Sequence, residues 1–326
     1  MFRRRALLAA AAAGLAMPAT ARAQAAFPQR PISLLVPAAP GGTLDALARF
    51  FAHNMAPNLG RIVVENVAGA GGLIGMQRLM RSEPDGHTIV FGNMGVMAAF
   101  RALNPNADYD PRRDLAPVGL AAHVPMVIAA SPQSGVRDLQ GLLERFRERG
   151  ERATFGTAGL GTTSHLAPAL LLHLTGLKGT LVSYRGAGPA MNDLAAGVVD
   201  AVIDQTVTMI PAHRGGTAVA LAVSGARRAP QIPDVPTFAE AGVPAFDLVV
   251  WNAIAAPRGT PAPIVERLAA AMEAALETED LSRRLAGLAA MPPAPEERGP
   301  AVLGRLIAAD TERWIQVVRE SGMAVQ

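Results

Sequence analysis

The feature that most constrains this chain is its punctuation. Short apolar runs alternate with amphipathic stretches, and four connections are rich in glycine, small residues and hydroxyls: residues 37–43, 68–72, 156–164 and 184–188. Short apolar runs read as buried strands and longer amphipathic stretches as helices. Their alternation predicts an α/β protein. Glycines let a backbone approach a ligand closely. Helix N-termini offer unpaired N–H groups and a partial positive charge. Ligands of open α/β sheets bind where strand-to-helix connections cluster. Any one such loop is the ordinary join of a strand to a helix, but four in one chain point to a cleft for a small anion. A carboxylate needs no arginine in such a site.

Strands are expected at residues 32–36, 61–67, 88–91, 153–156, 180–183, 201–204, 219–223 and 246–255. Residues 118–130 read as a long extended segment interrupted by His123-Val124-Pro125. Helices are expected from Thr43, which can cap a face of Leu44, Leu47, Phe51 and Met55. Further helices are expected at 73–81, 138–149, 164–175, 189–196, 263–276 and 296–321.

The whole chain of 326 residues carries a formal charge of +3, which invites a nucleic-acid reading. The N-terminus removes it. Arg3, Arg4 and Arg5 precede an apolar run from Ala6 to Met17, and Ala21-Arg22-Ala23 follows, the three parts of a secretory signal. Cleavage is expected near Ala23. Arg4-Arg5 also loosely resembles a twin-arginine signal. The remainder holds 26 basic against 27 acidic residues, so no electrostatic basis for nucleic acid remains. No later segment is apolar enough to span a bilayer. With no cysteine there is no disulfide and no lipidated cleavage site. A soluble, exported, unanchored protein is expected.

Common chemistries fail their sequence tests. Gly69-Ala70-Gly71-Gly72-Leu73-Ile74-Gly75 has G-x-G-x-x-x-G spacing, not the dinucleotide fingerprint, and no P-loop exists. There is no G-x-S-x-G elbow, and adjacent Ser164-His165 suit a nucleophile and base poorly. The six histidines lack H-E-x-x-H or short paired spacing. No catalytic residue, metal or cofactor is expected. Asp45 in a first helical turn complements the dipole or meets a ligand amine. Asp204, at a strand end, is a ligand candidate. Trp251 reads as core and Arg185 as solvent-facing. His165 either reaches a ligand or packs locally.

At these loops the sequence resembles the solute receptors of tripartite tricarboxylate transporters, the Bug-type periplasmic receptors. The matching stretches run in order along nearly all of the chain after the signal. They include Val36-Pro37-Ala38-Ala39-Pro40-Gly41-Gly42-Thr43-Leu44-Asp45, Pro84-Asp85-Gly86-His87-Thr88, Tyr109-Asp110-Pro111-Arg112-Arg113-Asp114, Gly159-Leu160-Gly161-Thr162-Thr163-Ser164-His165-Leu166, Tyr184-Arg185-Gly186 and Pro233-Asp234-Val235-Pro236-Thr237. The resemblance implies a type II periplasmic-binding-protein fold, two α/β lobes with a ligand cleft between them. Residues 24–125 plus 224–326 would form one discontinuous lobe and 126–223 the other, with crossings near 124–127 and 223–226. It also implies a receptor without enzymatic activity that delivers a small organic carboxylate to membrane permease subunits; separately, a monomer is expected. First-lobe contacts would be Ala39, Pro40, Gly42 and Thr43, with Asn93. Second-lobe contacts would be Gly159, Gly161, Thr162, Thr163 and His165, while Tyr184 and Asp204 select the far end of the solute. The sequence departs from the family pattern at Ser183, Asn252-Ala253 and Leu115. Two rivals are a sensory module for a membrane signalling partner and an exported α/β hydrolase.

Overall fold

A computed structural model describes residues 27–321, so the expected signal segment lies outside the described residues. Nine strands form one continuous sheet in the order β2-β1-β3-β9-β4-β7-β5-β6, with β8 also on β4. The strands are β1 (Ile32–Val36), β2 (Ile62–Asn66), β3 (Thr88–Asn93), β4 (Leu115–Ala130), β5 (Thr154–Thr157), β6 (Thr180–Ser183), β7 (Ala201–Gln205), β8 (Val219–Val223) and β9 (Val249–Pro257). The helices are α1 (Thr43–Leu59), α2 (Leu73–Met80), α3 (Leu139–Arg149), α4 (Thr163–Thr175), α5 (Ala187–Ala195), α6 (Thr206–Arg214), α7 (Ala262–Leu276), α8 (Glu279–Gly287) and α9 (Pro300–Ser321). Among the described residues no helix is long and apolar enough to cross a membrane.

The long strand β4 decides where a site can form. Its first part, Leu115 to Pro125, pairs antiparallel with β9. From Met126 onward it pairs antiparallel with β7, and from Val127 also with β8. Strands β1, β2 and β3 are mutually parallel on the β9 side, as are β5, β6 and β7 on the other. Because β3 reaches β4 through two antiparallel pairings, by way of β9, and β7 through one, the two parallel sets run toward each other. Their C-terminal ends, and the helices that follow them, therefore meet at the point where β4 changes partners. Ser224 ties that point together: its hydroxyl accepts from Met126 N at 2.8 Å and donates to Leu248 O at 2.7 Å.

The extended segment was expected to break at His123-Val124-Pro125, yet β4 runs through it. Proline removes a ladder donor and is tolerated at bulges and edges. Pro117 sits at a register shift and Pro125 at the partner change, so neither costs a central ladder bond. Residues 94–103, buried almost throughout, form helical turns that no apolar–polar period marks in the sequence. The last helix starts at Pro300, after a single turn at 295–297, four residues later than expected.

Apolar packing continues across the crossing. Phe146 and Phe155, with ring centroids 4.5 Å apart, belong to the same buried cluster as Trp251 and Phe100 from the other side. Trp251 is core as expected, and its Nε1 donates to Asp310 at 2.5 Å. A second cluster lies between β1, β3 and the helices α1, α7 and α8, including Leu34, Phe51, Phe91 and Met272.

Candidate functional site

Where the strand ends converge lies a cavity of about 280 Å³. It is small beside the roughly 300–1,000 Å³ of ordinary ligand pockets, which restricts it to a small solute. One wall comes from the loops after β1, β2 and β3, through Gly42, Thr43, Gly71, Gly72 and Asn93. The facing wall comes from the loops after β5, β6 and β7, through Gly159, Thr162, Thr163, Tyr184, Asp204 and Gln205.

The helices that begin here share a property. Their N-cap residues are Gly42 for α1, Gly72 for α2, Thr162 for α4, Gly186 for α5 and Gln205 for α6, and none makes a side-chain cap bond. Away from the cavity, Asp138 caps α3 by accepting from Gly141 N and Thr278 caps α8 by accepting from Leu281 N, while α7, which follows Pro261, has no side-chain cap. A side-chain cap satisfies one of a helix's unpaired N–H groups. Five helix starts without one leave donors and partial positive charge converging on a single volume. An anion is the natural complement. Thr162 shows why composition alone misleads: its hydroxyl donates back to Gly159 O at 2.7 Å and shapes the turn instead of capping the helix.

The two walls touch. Thr43 Oγ1 lies 2.8 Å from Thr208 Oγ1 on α6, and Asn93 Nδ2 lies 3.4 Å from Thr163 Oγ1. Gly71, at φ 61°, passes so near the opposite loop that a Cβ there would lie 1.8 Å from the Leu160 carbonyl oxygen. At Gly186 a Cβ would lie 2.8 Å from the Ala39 Cβ.

Eight of the expected contacts line this cavity: Gly42, Thr43, Asn93, Gly159, Thr162, Thr163, Tyr184 and Asp204. Four do not. Ala39 packs on Gly186, and Pro40 lines a neighbouring pocket with Gly188 and Thr208. Gly161 turns toward Phe100 and Asn104. His165 faces a separate cavity with Leu103, Leu166 and Leu172. It follows Ser164, which does line the main cavity, by one residue, a helical rotation of about 100°. Burial lowers the His165 pKa. Residues that sequence reasoning passed over as contacts are Gly71 and Gly72, Ser183, Arg185 and Gln205. Arg185 is exposed, as expected, but at the cavity mouth. The Gly-rich spacing of 68–72 was the available signal for Gly71.

The charged groups are few. Asp45 is buried and used locally: it accepts from Gly41 N at 3.1 Å and from Arg49 Nε at 3.0 Å. Burial pushes the Asp204 carboxyl up to about 6, against hydrogen bonds from the Gln205 backbone and the Thr208 hydroxyl that favour its charged form. The Tyr184 hydroxyl donates to Asp193 at 2.5 Å, so it is held away from free rotation at the cavity edge. Among the described residues no three His, Asp or Glu side chains gather as metal ligands.

A curled α/β sheet whose crossing strand is flanked by a cleft is the architecture of periplasmic solute-binding proteins, and this chain has that fold. The sequence matches the tripartite tricarboxylate transporter family receptor over residues 47–323, and the chain belongs to that family. The UPF0065 protein in the TAR-I ttuE-ttuC' intergenic region of Agrobacterium vitis is 39% identical, over 94% of this chain and 88% of the relative. The solved structure of MatC (Rpa3494) from Rhodopseudomonas palustris, with bound malate, superposes with a TM-score of 0.86 at 39% identity, covering 90% of this chain and 100% of that one. R. palustris Rpa4515 with adipate superposes with a TM-score of 0.86 at 33% identity, covering 91% and 99%.

Proposed function

We propose that this protein captures a small carboxylate-bearing solute in the cavity between two lobes and delivers it to the membrane subunits of a tripartite tricarboxylate-type transporter. The observation that carries the reading is the convergence of five helix N-termini without side-chain caps on one small volume. Malate and adipate bound in the two structural relatives support it. The lobes are residues 24–125 with 224–326, and residues 126–223; β4 and the segment after β8 join them. Gly42, Thr43, Asn93, Gly159, Thr162 and Thr163 hold the carboxylate through backbone N–H groups, hydroxyls and bridging water. Membership of a transporter receptor family supports delivery to a permease. The reading gives the chain an export signal at residues 1–23, a periplasmic site of action and no catalytic role.

The mechanism is a population shift. A solute that touches both walls favours the closed arrangement by its differential affinity for it, and the strands at the crossing absorb the rotation. The reading is tested by a thermal-shift screen of the purified protein against mono-, di- and tricarboxylates, amino acids and aromatic acids. Binding to the native state alone raises the melting temperature, by an amount that grows with solute concentration. At least one carboxylate is expected to do so, and its uncharged amide analogue is not. A melting temperature unmoved by every acid, in protein free of co-purified solute, would remove the support for the reading.

A further inference from the structure

We infer that Asp204 makes the cleft select solutes that carry a hydrogen-bond donor, a hydroxyl or an ammonium, in addition to their carboxylate. The inference rests on the carboxylate-receptor reading of the same cavity and adds the second half of the solute's chemistry.

Asp204 ends β7 and lines the cavity. Its residue is only 3% exposed, yet its Oδ2 has no hydrogen-bond partner. Among the described residues it forms no ion pair with an arginine, lysine or histidine, and only the Gln205 backbone and the Thr208 hydroxyl stand near enough to favour its charged form. Two further buried oxygens nearby in the fold are also without partners. Thr206 Oγ1 is two residues on, and Asn252 Oδ1 lies on β9 beside the crossing, where Asn252 Nδ2 donates to Gln205 Oε1 at 2.8 Å. Buried polar atoms are nearly always hydrogen-bonded, and an unsatisfied acceptor costs free energy. An orphaned carboxylate oxygen on a residue that lines a ligand cavity is one that a bound donor would complete.

The cavity is therefore polarised. The helix starts around it present donors, which suit a carboxylate. Asp204 presents an acceptor with a negative charge, which suits a donor and repels a second carboxylate. A solute with a carboxylate at one end and a hydroxyl or ammonium within reach of Asp204 satisfies both ends. A plain dicarboxylate does not.

Titration calorimetry on the purified protein with acids matched in length tests this. One set is succinate, malate and aspartate, and the other is glutarate, 2-hydroxyglutarate and glutamate. In at least one set a donor-bearing member is expected to bind about tenfold or more tightly than the plain diacid, the scale of a hydrogen bond to a charged group. Which member wins separates hydroxyl from ammonium. Asp204→Asn is expected to narrow the gap to within about threefold, by weakening the donor-bearing acids and tightening the plain one. Plain diacids that bind as tightly as their matched partners in both sets would overturn the inference and mean that Asp204 is merely hydrated. So would an Asp204→Asn protein in which every acid weakens equally. The comparison within wild-type protein decides the matter if the variant does not fold. If no carboxylate of any kind binds, the receptor reading itself fails, and this inference with it.

Discussion

Replacing Gly71 with alanine is expected to lower solute affinity about 100-fold or more while leaving the chain folded. The new Cβ would lie 1.8 Å from the Leu160 carbonyl oxygen. That atom is backbone, so no rotamer change relieves the overlap; only separation of the two loops does. Leu160 and Gly71 stand on opposite walls of the cavity, so separating them holds the cleft open. A solute held by both walls then loses the contacts of one. Stability should fall only by the cost of the backbone conformation. Gly71 sits at φ 61°, where a non-glycine residue costs about 1–2 kcal/mol. Gly135→Ala is the control: φ there is 73° with nothing within 4 Å, so it carries the backbone strain without the clash. Calorimetry on both variants, with denaturation curves alongside, separates the two effects. Equal affinities in the two variants would remove Gly71 from the closure.

The second large effect concerns stability. Asp204→Asn is expected to stabilise the protein with its walls together by about 1–3 kcal/mol at pH 7.5 and by much less near pH 4, and the solute-free protein by less at pH 7.5, because parting the walls lets water into the cavity that Asp204 lines. The sign follows from the direction of the shift. Burial raises the Asp204 pKa from 3.8 to about 6 in the folded state, so the folded chain holds this proton more tightly than the unfolded one. Below about pH 4 the group is protonated in both states and carries no penalty. Between about 4 and 6 the penalty grows as the unfolded chain ionises first. Above 6 it is complete, at about 3 kcal/mol by the usual conversion. Asparagine removes the charge but brings an amide N–H₂ that also needs a partner, which trims the gain. Other carboxylates act in the opposite sense: hydrogen bonding to Arg112 holds Asp110 below its ordinary value, and hydrogen bonding to Arg113 does the same for Asp114. The measurement is therefore the difference between variant and wild type in urea denaturation at pH 7.5 and 4. A difference independent of pH, or a variant less stable at pH 7.5, would contradict a buried ionised Asp204. A residue that lowers stability in a binding cavity is one retained for what it binds.

Much of the architecture is legible in the sequence because its causes are local. Ile32 to Val36 forms a strand since five apolar or small residues end at Pro37, and α1 follows since its apolar face recurs at helical spacing. Two failures have long-range causes. Pro125 looks like a strand breaker, and only the change of partners at Met126 makes it acceptable there. The turns at 95–103 are buried almost throughout, so they lack the polar face that would reveal a helical period. The cavity walls divide in the same way. The loops carrying Gly42, Thr43, Gly159 and Thr163 can be picked out by glycine and hydroxyl content. Which face of α4 His165 takes depends on helix phase at its first turn. The meeting of Gly71 with Leu160 depends on two loops far apart in the chain, and no local pattern encodes it. Asp204 was visible as a polar residue ending a strand, but its unpartnered oxygen was not.

The central claim is that the cleft closes on a carboxylate, and small-angle scattering with and without a bound acid tests it most directly. The solute-free protein should populate an open arrangement with the larger radius of gyration, since direct contacts between the walls, such as Thr43 with Thr208 and Asn93 with Thr163, are few without a solute that bridges them. Saturation with an acid found by calorimetry should reduce that radius in wild-type protein and leave it unchanged in Gly71→Ala. An acid that binds tightly while the radius stays the same in wild-type protein would contradict closure, and with it the division of the cavity between two moving lobes.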